Sequence, residues 1–184
     1  PMTYPLREVN GIIISGFLSP NDNIYIYPPN LQKTLTEKID GFRVYLKADW
    51  GDDEKTTDNW LNDLFFLTSK QTEALFYFMR NYDWDFFMFV FNGSDWISHN
   101  FWRYMDPKCP DYNLERSQKY GNMILKYYQR IDAMIGQIIQ ELDDDTVLLV
   151  VSDHGNGPVY KIFYLNDFLA KKGLLALKGK SVFS

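Results

Sequence analysis

At 184 residues, with 46% hydrophobic and 17% aromatic side chains, the chain is long and apolar enough to bury one sizeable core and is not a disordered segment. A formal net charge of -5 argues against a duplex-DNA binder, which needs a basic face. A single cysteine, Cys109, excludes an internal disulfide framework and points to a reducing, cytoplasmic setting, and no apolar run reaches the roughly 20 residues that span a bilayer.

Along the chain, strand and helix patterns alternate. "PMTYPLREVNG" lacks the basic flank and apolar core of a signal peptide. "GIIISGF" (11–17) is an aliphatic run bounded by glycines and predicts a buried strand. "SPNDNIYIYPPN" reads as a turn-rich loop, "LQKTLTEKI" as a short helix and "FRVYLK" as a strand, followed by the acidic surface loop "GDDEKTTD". From Trp60 to Tyr82, Leu61, Leu64, Phe65, Leu67, Leu75, Phe76 and Met79 recur at helical steps and mark a core face. "WDFFMFVF" (84–91) predicts a second buried strand. A long helix over 114–142 follows, with Tyr120, Ile124, Tyr127, Ile131, Ile135, Ile138 and Leu142 on one stripe. "TVLLVV" (146–151) is a third strand. Strand, long helix and buried strand make the βαβ pattern of a parallel sheet, hence an α/β fold in one domain over 1–184.

Parallel sheets place their chemistry at the carboxyl ends of strands. Two such ends are chemically rich here: "NGSDWISHNFWRYMDP" after the second strand and "SDHGNG" after the third. The two histidines of the chain fall one in each. Asp95 and His99 are four residues apart, so a helical turn would put carboxylate and imidazole on one face, an O and N donor pair suited to a divalent metal. The bland alternative is an acidic residue stabilising a helix N-terminus beside an unrelated histidine. Asp153 and His154 are adjacent, so they share a ligand only if the backbone turns sharply, which Gly155 and Gly157 permit. The alternative is a polar turn in which Asp153 satisfies backbone N–H groups. Two such pairs at two sheet ends favour the metal reading.

These two tracts resemble the type I phosphodiesterase/nucleotide pyrophosphatase group of the alkaline phosphatase superfamily. "VNGIIISGFLSP" and "FYLNDFLAKKGLLALK" (163–178) resemble flanking segments of its members. The resemblance implies a three-layer α/β/α domain with a mainly parallel sheet. It implies two divalent ions, zinc first with manganese or magnesium as alternatives. Asp95 and His99 would serve one ion, Asp153 and His154 the other. The substrate would be a small phosphodiester or nucleotide. Two departures stand out. The family's Ser or Thr nucleophile has no counterpart upstream of "VNGIIISGF", and no histidine follows His154 to complete the first metal's shell. The expectation is therefore the central portion of a larger enzyme, with low activity alone and its nucleophile elsewhere.

Ser94, Ser98 and Ser152 lie near the ligands, and local hydrogen bonding to turns is their expected role. Within the same superfamily a phosphoglycerate-mutase-like or phosphonoacetate-hydrolase-like enzyme remains open. A sulfatase does not, because Cys109 is followed by Pro110, Asp111 and Tyr112 instead of the Cys-x-Pro-x-Arg element. A shortened, non-catalytic binding protein is the alternative outside enzymology.

Overall fold

A 28-residue helix is the spine of the molecule in the computed structural model, which describes residues 10–15 and 25–176. The elements run β1 (Ile13–Ser15), β2 (Tyr25–Tyr27), α1 (Leu31–Lys38), α2 (Glu54–Asn81), α3 (Gly93–Met105), α4 (Leu114–Tyr120), α5 (Met123–Glu141) and α6 (Leu165–Lys171). The described residues thus form a mixed α/β arrangement, about half of it helical. None of its helices is long and apolar enough to cross a membrane.

α2 starts earlier than the apolar pattern suggests because the acidic loop supplies its cap. The Asp53 carboxylate accepts from Thr56 N–H at 3.0 Å and from Thr56 Oγ1 at 2.6 Å, satisfying a donor that the first helical turn leaves open. At about 1.5 Å per residue the helix is long enough to serve three apolar clusters. Its N-terminal half packs Trp60, Leu61 and Leu64 against Ile97 and Phe101 of α3 and Tyr127 of α5. Further along, Ala74 and Phe78 meet Leu31 and Leu35 of α1 and Ile26 of β2, while Leu75 and Phe76 meet Met134 of α5. α1 ends in a turn at Gly41, whose φ of +72° is costly for other residues; a Cβ there would also press on the Phe66 ring at 2.9 Å.

The expected strands fare differently. β1 lies within the first aliphatic run and pairs antiparallel with β2, Ile14 opposite Ile26; Gly16 and Phe17 lie outside the described residues. β2 comes from the tract read as a loop. The Phe42–Lys47 segment forms no strand, and a side chain takes the backbone donors at its C-terminal end. The N–H groups of Lys47 and Ala48 donate to Asp63 Oδ2 at 2.6 and 3.1 Å, and the same carboxylate pairs with the buried Arg43 guanidinium. The 84–91 and 146–151 runs carry no backbone ladder among the described residues, so the parallel sheet expected from them is not formed there. In the first run exposure alternates as in a strand, with Phe86, Met88 and Val90 out and Phe87, Phe89 and Phe91 half-buried. In the second, Val147 through Val151 are all exposed.

The long helix expected over 114–142 breaks into α4 and α5 at Gly121–Asn122. A Cβ at Gly121 would sit 2.6 Å from the Ser117 carbonyl and 3.0 Å from that of Tyr104, so the break lies where α4 ends against α3.

The Asp63 hub predicts a specific acid sensitivity. Burial pushes its carboxyl up, but the Arg43 guanidinium and the Ala48 and Lys47 N–H groups outweigh this and hold it below the usual value of 3.8. A carboxylate whose folded pKa is depressed stabilises above its unfolded pKa and loses that contribution as pH falls through the folded value. Urea unfolding of Asp63→Asn should therefore show a loss of roughly 2–3 kcal/mol at neutral pH, the scale of removing one partner of a partly buried charged pair. The difference from wild type should shrink below about pH 4.

Candidate active site

α3 places the first acid–histidine pair. Ile97, Phe101 and Tyr104 form its buried stripe, and Phe101 and Tyr104 join an aromatic cluster with Trp50, Trp60 and Tyr120. With that stripe turned inward, Asp95, His99 and Arg103 share another face at steps of four. The start of α3 is fixed by a close approach. Gly93 is buried, and a Cβ there would lie 2.0 Å from Tyr127 Oη and 3.0 Å from Leu64 Cδ1. Tyr127 is itself held. Thr68 Oγ1 spends its proton on the Leu64 carbonyl at 2.8 Å, so the Tyr127 hydroxyl donates to Thr68 at 3.0 Å. Burial pushes the Tyr127 phenol above its ordinary pKa, so it stays protonated as that donor.

The second pair sits on a turn that its own side chains close. Ser152 Oγ donates to the His154 carbonyl at 2.6 Å, and His154 N–H donates to Asp153 Oδ1 at 3.1 Å. The glycines expected to permit the turn are not needed for it: neither Gly155 nor Gly157 has a positive φ, and a Cβ on either would meet nothing within 4 Å.

The structure brings the two pairs together. His99 Nε2 lies 3.2 Å from Asp95 Oδ1, and His154 Nε2 lies 3.9 Å from the same oxygen and 3.7 Å from Asp153 Oδ2. Asp95 Oδ1 is buried and has no hydrogen-bond partner, although the Asp95 side chain as a whole is partly exposed. It caps no backbone N–H, but it stands in the first turn of α3, where a carboxylate also favours the helix N-terminus as the helix-terminus alternative expects. His154 Nδ1 lies 3.0 Å from the Gly155 carbonyl. A carbonyl only accepts, so Nδ1 is the donor in this contact, which leaves Nε2 as the ring nitrogen facing the carboxylates. Among the described residues no three His, Cys, Asp or Glu side chains are placed to close on one ion. The four groups meet pairwise, with side chains that remain accessible to solvent.

The three nearby serines are engaged locally. Ser94 Oγ donates to the Phe91 carbonyl, Ser98 Oγ to the Ser94 carbonyl and Ser152 to that of His154. A cavity of about 330 Å³ adjoins His99, bounded by Trp50, Asp52, Trp102, Arg103, Asp111 and Asn156 among others. Sequence reasoning missed it. The signal lay in "FWRY", where Phe101 and Tyr104 turn into the core while Trp102 and Arg103 line the cavity. A larger cavity of about 440 Å³ between α2 and α5 includes Arg80 and Gln137 but none of the four paired residues.

Fold and site together define a mixed α/β protein in which two acid–histidine pairs from separate tracts meet at one surface. The chain belongs to the type I phosphodiesterase / nucleotide pyrophosphatase family, whose model matches residues 8–183. Membership suggests phosphoric ester hydrolysis. No curated protein and no solved structure matches the chain.

The Gly93 contact generates a prediction. Gly93→Ala should cost about 1–3 kcal/mol in urea unfolding, the usual scale of overpacking. In a Tyr127→Phe background the penalty should fall, because the nearest clashing atom is gone. Equal penalties in both backgrounds would show that the hydroxyl does not set the approach.

Proposed function

We propose that the chain carries part of the two-metal centre of a hydrolase acting on small phosphodiesters or nucleotides. Asp95 and His99 would hold one divalent ion, Asp153 and His154 the other. Zinc fits the mixed carboxylate–imidazole donors best, with manganese or magnesium as alternatives. The observation that carries this reading is the buried Asp95 Oδ1, which makes no hydrogen bond and has both imidazole Nε2 atoms within 4 Å. A carboxylate oxygen so placed is costly unless a cation or donor completes it. When bound, two such ions lower the pKa of an attacking oxygen and stabilise charge on the phosphate.

The chain's own residues orient this centre. The Gly155 carbonyl fixes the His154 ring, and the Gly93–Tyr127 contact fixes the start of α3. Ser94, Ser98 and Ser152 are tied to local carbonyls, which supports an attacking hydroxyl supplied from another segment. The aliphatic, unpaired runs 84–91 and 146–151 support their being inner strands of a mainly parallel sheet. That sheet would belong to a three-layer α/β/α domain of a larger enzyme, with 1–184 its central portion. The single cysteine supports a cytoplasmic, reducing setting.

Titration calorimetry with Zn²⁺ tests the centre. Binding should be weak, since each ion finds only two of the three or more protein ligands usual for zinc. His154→Ala or Asp95→Asn should weaken it by at least about tenfold, the lower scale for disturbing a metal shell. Hydrolysis of bis(p-nitrophenyl) phosphate by this chain, with Zn²⁺ or Mn²⁺, should be slight. Robust turnover that disappears in His154→Ala would place the nucleophile within these residues. Unaltered Zn²⁺ binding in both variants would favour a non-catalytic binding protein.

A further inference from the structure

We propose that the cavity beside His99 receives the second substituent of the phosphodiester and is built for a neutral, hydroxyl-rich group, a glycerol or sugar unit. The inference rests on the phosphodiester reading of the site and adds the substrate class. The position of the cavity makes the link. His99 lies in its wall, and Asn156 and Gly157 reach it from the tract just after His154. A phosphate held at the paired acids and histidines would therefore have one ester arm directed into this space.

The lining then selects the arm. Asp52, Asp111 and Arg103 are its acidic and basic side chains apart from His99, two negative against one positive. Arg103 is largely engaged: one N–H donates to Asp52, and the guanidinium lies over the Trp50 and Tyr104 rings, 5.7 and 5.1 Å from their centroids, while its buried Nε has no partner. A second phosphate, as in a nucleoside diphosphate, would meet net negative charge among the described lining residues, where the one guanidinium is already paired with Asp52, and like charges repel. Hydroxyls meet the opposite situation. Asp111 accepts, while Asn100 and Asn156 both donate and accept, which matches groups that do both. The indoles of Trp50 and Trp102 add flat apolar walls for the C–H faces of a polyol. At about 330 Å³ the cavity lies at the small end of ligand pockets, which run from ~300 to ~1,000 Å³.

Binding to the 184-residue chain tests this, read from the indole N–H resonances of Trp50 and Trp102. Glycerophosphoglycerol should shift both saturably, and ADP should bind at least about tenfold more weakly. Asp111→Ala should weaken the diester by about tenfold, and Asp111→Lys should reverse the preference toward ADP. ADP binding as tightly as the diester to the wild type, an unaffected Asp111→Ala, or no saturable indole shift with the diester would each overturn the assignment. Free glycerol separates the two layers. If it shifts the same indoles with no gain from the phosphate, the subsite stands and the phosphodiester reading fails.

Discussion

Gly93 is the point at which three helices can touch, and the candidate site depends on that contact. No other residue lets the first turn of α3 approach the Tyr127 hydroxyl, because any Cβ would stand 2.0 Å from it. Tyr127 cannot move aside, since it is bonded to Thr68 of α2 and buried. The geometry passes outward from there. Ile97, Phe101 and Tyr104 dock α3 on the aromatic cluster. Once they do, Asp95, His99 and Arg103 have one face left, and it is the face that the 152–155 turn meets. Packing thus sets the chemistry of the surface: a core stripe decides which polar side chains can act together.

Much of this was legible in the sequence because it followed from helical periodicity. The four-residue step of Asp95 and His99 does fall on a helix, the condition for a shared face, and the apolar steps of α2 and α5 marked their buried faces. What could not be read came from side chains acting on distant backbone. Nothing local to "FRVYLK" says that Asp63 will pair with Arg43 and take the Lys47 N–H at its end. Nothing in "GDDEKTTD" separates a solvated loop from a helix cap, except that Asp53 and Thr56 stand three apart. The 114–142 stripe is continuous in pattern, but Gly121 lies against the Tyr104 carbonyl of α3, and a pattern of side chains does not record an approach by another helix. The turn at Asp153 was credited to glycine, whereas hydroxyl and carboxylate bonds close it.

The aliphatic runs 84–91 and 146–151 connect fold to function. Both read as buried strands, and both carry exposed large side chains such as Phe86 and Val151. Each also leads directly into one half of the candidate site. Side chains this apolar gain about 25 cal/mol per Å² when removed from water, so they favour any arrangement that covers them. Pairing of these runs in a sheet would hold the ends of both at one edge. The meeting of Asp95 with His154, now set by the α3 packing and the turn, would then be fixed by backbone as well.

On the proposed reading the two tracts build one centre for two ions. The most direct measurement is anomalous X-ray scattering at the zinc edge from crystals of the chain grown with Zn²⁺. The account predicts two peaks about 3.5–4 Å apart, one beside Asp95 and His99 and the other beside Asp153 and His154. Ordered zinc only at other residues, with both histidines free of metal, would contradict it.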